Sequence, residues 1–274
     1  MPPASTGRLV RALACDRKVR VLAVVAPGPC AELIRRHSLS GTAAVLGCEG
    51  LLASVLLSGQ VKGEERITIE VQGEDPAFAF VADIWGEGPL RARFRPEHLA
   101  GPASFRGYLS AIRSLDGKEL YRGVGAVEGE RWEAALQRFL QGSEGVDGRV
   151  RILAEVDEEG EPTFAAGLLV ERFPDCEPEA FAALFDEPMK GDFKAMMTAF
   201  AFGQLAGGAV ELLEARDLVF QCTCSAQRVR AMLKALGPVE VREMLEQDGG
   251  AEVSCHFCNE VYRVSGEELQ AMLE

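Results

Sequence analysis

The sequence predicts an α+β protein with a mixed N-terminal domain of sheet and helix, a helical linker and a small C-terminal α+β domain. Apolar residues make up 47% of the 274 positions and charged residues 26%, which is an ordinary globular balance. Candidate helices and strands follow no regular strand-helix-strand alternation, which favours α+β over a doubly wound sheet. Shifts in composition place the domain boundaries at 1–174, 175–217 and 218–274.

The first elements are a strand and two helices. Val19–Val25 is rich in β-branched residues and is followed by Pro27-Gly28-Pro29, a pattern typical of a strand and its end. Residues 30–37 have helical character. Ser40 is the candidate N-cap of a second helix, whose Val45, Leu46, Leu52, Val55 and Leu56 would form a buried stripe.

A pair of strands comes next. Residues 66–72 alternate between apolar and polar side chains, which is the period of a half-buried strand. Gly73 and Asp75-Pro76 then turn the chain, and residues 77–84 form the returning strand. The pattern further predicts strands at 120–127 and 150–156 and a short helix at 132–140.

The predicted linker, 175–217, combines helix-breaking and apolar residues. Pro178 and Gly207-Gly208 are poor in helix interiors, whereas Phe193, Met196, Met197 and Phe200 fall at helical spacing. One interpretation is a helical linker packed on the first domain. The other is a Met- and Phe-rich segment that detaches and offers apolar surface.

The last 57 residues form a compact pattern of helices and a strand. Ser225 caps a helix that ends at Gly237-Pro238, with Val229, Met232, Leu233 and Leu236 expected on one face. A second helix covers 239–247 and a short strand covers 261–264. Ser265 and Glu268 form a capping box for the final helix.

Charge and cysteine content restrict the function. The net charge of −13 opposes binding to nucleic-acid phosphates or to an anionic membrane, since both require Lys and Arg. Residues 1–20 lack the continuous apolar run of a secretory signal, and the apolar stretch 43–57 is short for a membrane span and carries Glu49. We therefore expect a cytoplasmic protein, where clustered cysteines are metal ligands or redox groups.

Four of the eight cysteines form the strongest motif. Cys222-Thr-Cys224 is followed after thirty residues by Cys255-His-Phe-Cys258. Two close pairs can supply the four thiolates of a tetrahedral zinc site, which leaves no open position for substrate. We expect one Zn²⁺ per chain, in a structural or regulatory role that the spacing alone does not decide. A C-terminal domain this small depends on such a metal for folding.

The first cysteine pair also suggests redox chemistry. In an extended chain the Cα atoms of Cys222 and Cys224 would lie about 6.6 Å apart, near the upper limit for a disulfide. Oxidation of this pair would need a local turn that is incompatible with the tetrahedron. Oxidation and metal binding should therefore exclude each other, which is a physical basis for a redox switch.

The remaining reactive residues carry no catalytic motif. His256 is expected to face solvent because four cysteines fill the coordination shell, and His37 and His98 are expected at the surface. The sequence has no phosphate-binding loop and no nucleophile elbow, so we expect no catalytic residue and no enzyme. The scattered Cys15, Cys30, Cys48 and Cys176 are interpreted as small core residues or incidental thiols.

At these motifs the sequence resembles a known family, the redox-regulated thirty-three-kilodalton chaperonins, which are heat-shock holdases. The cysteine spacing matches the family pattern, and the similarity extends over most of the chain. The matching stretches are 219–229, 245–262, 8–14, 19–23, 36–40, 42–44, 65–73, 121–123 and 165–169.

The resemblance implies an ATP-independent chaperone of the stress response. In the reduced state Cys222, Cys224, Cys255 and Cys258 would bind zinc and the protein would be inactive. Oxidation would pair Cys222 with Cys224 and Cys255 with Cys258 and release zinc. The C-terminal domain and linker would then unfold, expose apolar surface to unfolding client proteins, and favour a homodimer.

Two alternatives from other classes remain open. One is a zinc-ribbon module that binds a partner or nucleic acid, although residues 218–274 hold nine acidic and five basic side chains. The other is a thiol–disulfide oxidoreductase that uses Cys255 and Cys258. That class usually places its motif at a helix N-terminus after a strand.

Overall fold

The computed structural model describes residues 6–185, 191–201 and 210–273. The chain divides into two compact units, with the boundary between Phe220 and Gln221. The predicted α+β class is confirmed, and each unit contains both helices and strands.

The first unit contains twelve of the described strands, most of them in one large sheet. They are β1 Thr6–Ala14, β2 Val19–Val25, β3 Ser40–Gly41, β4 Arg66–Asp75, β5 Ala77–Trp85, β6 Pro89–Arg95, β7 His98–Leu99, β8 Phe105–Leu115, β9 Lys118–Glu130, β10 Gly148–Val156, β11 Pro162–Arg172 and β12 Val210–Phe220. The ten-stranded sheet has the order β10-β11-β2-β1-β12-β6-β5-β4-β8-β9, while β3 pairs with β7. Neighbours in the large sheet are antiparallel except β12 and β6, which pair in parallel only at their ends.

Helices cover both faces of this sheet. They are α1 Pro27–His37, α2 Thr42–Leu57, α3 Trp132–Phe139, α4 Pro178–Phe185 and α5 Phe193–Ala201. The main hydrophobic core joins α1, α2 and α3 to one face. A second cluster on the other face, which we call the outer cluster, joins Phe181, Phe193 and Met197 to the end of the sheet formed by β1, β2 and β11.

The centre of the first unit is α2. The segment Thr42–Gln60 is long and apolar enough to cross a membrane, but 89% of its most apolar window is buried inside the protein. Such burial is typical of the core helix of a folded domain. Its start differs from the prediction, because Gly41 is the N-cap and no side chain caps the helix. Ser40 instead lies in β3, where its hydroxyl hydrogen bonds to Nδ1 of His98 at 3.0 Å.

The predicted linker is only partly helical. Helices α4 and α5 lie in it, but Val210–Phe220 is a strand that pairs with β1 along its length. The prediction of a helical linker up to residue 217 is therefore wrong for this stretch. Its Glu, Leu and Ala residues favour a helix locally, and pairing with β1 overrides that preference. The predicted helix breakers Gly207 and Gly208 lie outside the described residues.

His37 also differs from the prediction, because its side chain is fully buried rather than at the surface. Its Nε2 lies 3.2 Å from the carbonyl oxygen of Ala92. The spacing explains the position: Cys30, Leu33 and Ile34 are buried on α1, and His37 continues the same face of the helix.

The second unit has a small core. Its elements are α6 Ala226–Leu236, α7 Pro238–Asp248, β13 Gly250–Ser254, β14 Val261–Ser265 and α8 Gly266–Leu273. The buried residues of its core are Val229, Leu233, Val241, Val264 and Leu269. Met232 and Leu236, which were predicted on the same face of α6 as Val229 and Leu233, are each 47% exposed. Much of the apolar surface in this unit is thus in contact with water.

Candidate metal centre

The first two cysteines of the motif lie in the connection between β12 and α6, which is neither helix nor strand. Cys222 and Cys224 precede α6, and Ser225 caps that helix by accepting a hydrogen bond from the backbone N–H of Arg228. The Cys224 backbone N–H donates a hydrogen bond to the Cys222 sulfur. The two sulfurs of this pair lie within 4.8 Å of each other.

The other two cysteines lie in the turn of a hairpin. Cys255 and Cys258 fall between β13 and β14, where the Cys255 N–H donates to the carbonyl of Glu260 at 2.9 Å. The Asn259 N–H donates to the carbonyl of Cys255 at 2.8 Å, and Asn259 adopts a left-handed conformation with φ of 54°. This tight turn brings the two sulfurs of the second pair onto the same side.

The two segments bring all four sulfurs together. The Sγ atoms of Cys222, Cys224, Cys255 and Cys258 lie within 4.8 Å of one another. The Cys222 and Cys255 sulfurs are 3.7 Å apart, and the Cys224 and Cys258 sulfurs are 3.4 Å apart. A zinc tetrathiolate with bonds of about 2.3 Å has sulfur–sulfur edges of about 3.8 Å, so the donor set fits a tetrahedral metal ion.

The pKa values of the cysteines in the cluster are shifted in different directions. Burial opposes ionisation of Cys222, but hydrogen bonds from the Cys224 backbone and the neighbouring thiols lower its pKa to about 7. Burial raises the pKa values of Cys224 and Cys258. If more than one of these thiols loses its proton, the negative charges need a nearby cation to balance them. A divalent metal ion bound by the thiolates would balance two of these charges.

Tyr262 on β14 completes the surroundings of the site. Its hydroxyl donates a hydrogen bond to the sulfur of Cys224 at 3.0 Å, and this bond raises the pKa of Tyr262. Tyr262 was not among the predicted site residues. The alternation of β14 could have indicated it, because Val264, two residues further on the same strand face, is part of the core.

The other candidate residues lie away from this cluster. His256 is exposed, as predicted, and so is His98. Cys30, Cys48 and Cys176 are buried in the first unit, and Cys15 is half-buried there. The first three therefore agree with the interpretation as small core residues.

The fold and the cluster together define a class of protein, a sheet-and-helix unit joined to a small unit whose four thiols could bind one metal ion. The family model described as "Hsp33 protein" matches residues 7–265. The chain belongs to the Hsp33 family, and its members are chaperones rather than enzymes. The resemblance seen in the sequence is thereby confirmed.

Relatives and solved structures agree with this assignment. The 33 kDa chaperonin of Bacillus licheniformis is 31% identical, with 96% of this chain and 98% of the relative covered. The 33 kDa chaperonin of Bacillus subtilis is 30% identical, with 96% and 97% covered. The crystal structure of the 33 kDa chaperonin from Thermotoga maritima matches in fold, with a TM-score of 0.82 at 22% identity over 98% of both chains.

Proposed function

We propose that this chaperone is a redox-regulated, ATP-independent holdase whose reduced, zinc-bound form is inactive. The observation that supports this most directly is the cluster of four cysteine sulfurs within 4.8 Å of one another, contributed by two separate segments. Thiolates in this arrangement bind zinc tightly, and they are also the groups that peroxide oxidises. One site can therefore both stabilise the second unit and sense an oxidant.

In the reduced state, Cys222, Cys224, Cys255 and Cys258 would bind one Zn²⁺ per chain. The metal would supply a link between the segment before α6 and the β13–β14 hairpin. The close sulfur contacts support this role, because they join Cys222 to Cys255 and Cys224 to Cys258 across the two segments.

Oxidation would form disulfides between Cys222 and Cys224 and between Cys255 and Cys258, with release of zinc. Each of these bonds lies within one segment, so the link between the segments would be lost. The second unit has five buried apolar residues in its core and would then be too weakly packed to stay folded.

Unfolding would next expose apolar surface to clients. In this proposal residues 218–274 are the redox switch, 175–217 the linker, and 1–174 the substrate-binding and dimerisation core. Release of α4 and α5 would uncover Phe181, Phe193 and Met197 together with the strands beneath them. The oxidised protein would bind unfolding proteins as a cytoplasmic homodimer, without nucleic acid or a membrane as partner.

The test follows zinc content and activity along one oxidation series. Full-length protein is treated with increasing peroxide at a mildly unfolding temperature. Bound zinc and the suppression of aggregation of a heat-unfolded client are then measured on the same samples. We expect suppression to rise as zinc is released. Oxidised, zinc-free protein that suppresses no aggregation would rule the proposal out, and so would equal activity in the reduced, zinc-loaded protein.

Structure and charge oppose the two alternative functions. The Cys255–Cys258 motif occupies the turn between β13 and β14, rather than the helix N-terminus that favours a reactive thiolate in oxidoreductases. The nine acidic and five basic side chains of 218–274 would repel nucleic-acid phosphates.

A further inference from the structure

Two cysteines outside the metal centre lie at one end of the large sheet. Cys15 directly follows β1, and Cys176 lies between β11 and α4. The register pairs Ala14 with Val19 and Val19 with Arg172, so the adjacent ends of β1, β2 and β11 are level with one another. Strand β2 lies between β1 and β11. Since adjacent strands are about 4.8 Å apart, the ends of β1 and β11 are roughly 10 Å apart.

Backbone hydrogen bonds tie these two turns together. The Lys18 N–H donates to the carbonyl of Cys15 at 3.0 Å, and the Phe173 N–H donates to the carbonyl of Lys18 at 2.9 Å. The Cys176 N–H in turn donates to the carbonyl of Phe173 at 3.0 Å. A continuous series of bonds thus connects the residue that carries one thiol to the residue that carries the other.

The side chains of both cysteines lie in the outer cluster. Cys176 is 5% exposed and belongs to the cluster, and the half-buried Cys15 packs against it. Burial raises the pKa of the Cys15 thiol, and the nearby Cys176 thiol raises it further. The two sulfurs therefore share one apolar environment, with Cys15 the more accessible of the two.

We propose that Cys15 and Cys176 are a second oxidation site, which forms a disulfide when the protein meets peroxide. The Cys15 thiolate would attack the O–O bond of hydrogen peroxide, giving a sulfenic acid and one water. The Cys176 thiolate would then attack that sulfur and release a second water. Two thiols and one peroxide become one disulfide and two waters, and no other reactant is needed.

This disulfide would fasten the chain just before α4 to the turn after β1. It would keep residues up to 176 attached to the sheet while α4 and α5 separate from it. The bond would thus set the N-terminal limit of the segment that detaches. This consequence rests on the proposed function, whereas formation of the disulfide does not.

A second cysteine pair provides an internal reference. Cys30 on α1 and Cys48 on α2 are both fully buried, and hydrogen bonding to Cys30 raises the pKa of the Cys48 thiol. Peroxide has no path to either sulfur while the first unit is folded. The same sample therefore contains one pair expected to oxidise and one expected to stay reduced.

The experiment is peptide mapping of the full-length, zinc-loaded protein after peroxide treatment, alkylation and digestion without reductant. We expect a peptide pair joined through Cys15 and Cys176, with Cys30 and Cys48 recovered as alkylated thiols. Cys15→Ser and Cys176→Ser should each abolish the linked pair. If Cys15 and Cys176 are recovered unlinked when the four C-terminal cysteines are already oxidised, the proposal is wrong.

Hydrogen exchange tests whether the disulfide holds the chain before α4 on the sheet, which is a separate question from whether the disulfide forms. In oxidised protein, amides of residues 172–177 should exchange at least tenfold more slowly in the wild type than in Cys15→Ser or Cys15→Ala. If the exchange rates of the wild type and the Cys15 variants were equal, the disulfide would not hold this segment on the sheet, even if it forms. Because neither measurement uses a client or reads zinc, a failure of the chaperone proposal would remain a separate result.

Discussion

The two units of this protein are stabilised in different ways. In the first, α2 is enclosed by the sheet and by α1 and α3, and large side chains such as Trp132, Phe80 and Phe105 are fully buried. In the second, five buried apolar residues form the core, while Val239 is 62% exposed and Met232 and Leu236 are each 47% exposed. Burial can account for the stability of the first unit, whereas the second needs additional sources.

The helices packed in the main core also differ from those of the second unit in how their ends are capped. The helices α1, α2 and α3 of the main core have no side-chain cap, whereas Asp192 accepts the Ala195 N–H at the start of α5. In the second unit Ser225 caps α6, and Ser265 and Glu268 form a reciprocal capping box at α8, while α7 has no side-chain cap. A buried helix gains most of its stability from packing, while an exposed helix depends on local hydrogen bonds. The second unit thus relies on caps and on its four thiols.

The largest expected effect comes from removing one thiol. Cys258→Ser should abolish zinc binding and unfold residues 221–274, because a structural zinc contributes about 10–16 kcal/mol to folding. Both tryptophans of the chain, Trp85 and Trp132, lie in the first unit, so their fluorescence should not change. Zinc content, hydrogen exchange and tryptophan emission measured together would check this.

Leu52→Ala is the matched change in the first unit. Leu52 is fully buried on α2, and its truncation should lower the free energy of unfolding of the first unit by about 2–5 kcal/mol. Urea denaturation followed by tryptophan fluorescence measures this loss, and zinc content should remain at one per chain. If Leu52→Ala released zinc, or Cys258→Ser shifted the tryptophan transition, the units would not be independent in stability.

The two units also differ in how much of their structure could be predicted from the sequence. Local patterns predicted β2, β4, β5, α3 and the Ser265–Glu268 box, because alternation and capping depend on near neighbours. The four-thiol cluster was predicted for the same reason, since each pair lies within one short segment. Strand β12 was missed because its pairing with β1 joins residues about two hundred positions apart. His37 was misplaced because it belongs to no motif, and only its spacing from Leu33 and Ile34 on α1 indicates burial.

The next largest effect concerns a buried carboxylate in the first unit. Glu49 is 1% exposed and bonds to Arg131, but burial outweighs that attraction and raises its pKa to about 7. Between about pH 4.5 and pH 7 the folded state therefore holds more protons than the unfolded state. This group makes the first unit less stable as pH rises through that range, by on the order of 3 kcal/mol in total.

Glu49→Gln should remove this dependence. We expect the variant to be more stable than the wild type at pH 8 and close to it at pH 5, measured by urea denaturation with tryptophan fluorescence. Glu119→Gln is the control, because that exposed carboxylate bonds to Arg122, which lowers its pKa, and it should give no gain at pH 8. If the free energy of unfolding changed with pH equally in Glu49→Gln and the wild type, Glu49 would not be the source of the pH dependence.

A smaller effect is expected beside the metal centre. Tyr262→Phe removes the hydrogen bond from the hydroxyl to the Cys224 sulfur and leaves the ring in place. Loss of such a supporting bond weakens metal affinity by about 10–100-fold. The zinc affinity is measured by competition with a coloured chelator. Tyr121→Phe, which removes a hydroxyl bonded to the Ser143 carbonyl in the first unit, should leave zinc affinity unchanged. Equal zinc affinities of Tyr262→Phe and Tyr121→Phe would show that the Tyr262 hydroxyl does not support metal binding.

The smallest effect tests the caps. In the box at α8, the Glu268 N–H donates to the Ser265 hydroxyl at 3.2 Å, and the Ser265 N–H donates to the Glu268 carboxylate at 3.0 Å. Ser265→Ala removes the first bond and should destabilise the second unit by about 1 kcal/mol. In the proposed function zinc binding and folding of this unit are coupled, so the loss should appear as roughly fivefold weaker zinc affinity.

Ser225→Ala at α6 should cost a similar amount, since its hydroxyl accepts the Arg228 N–H at 3.2 Å. The two caps share no partner, so the double variant should lose the sum of the two free energies. Chelator competition on the four proteins gives the comparison. If either cap could be removed without loss of zinc affinity, the metal alone would determine folding of the second unit. Its contrast with the first unit would then be between a metal and a core, with no contribution from helix ends.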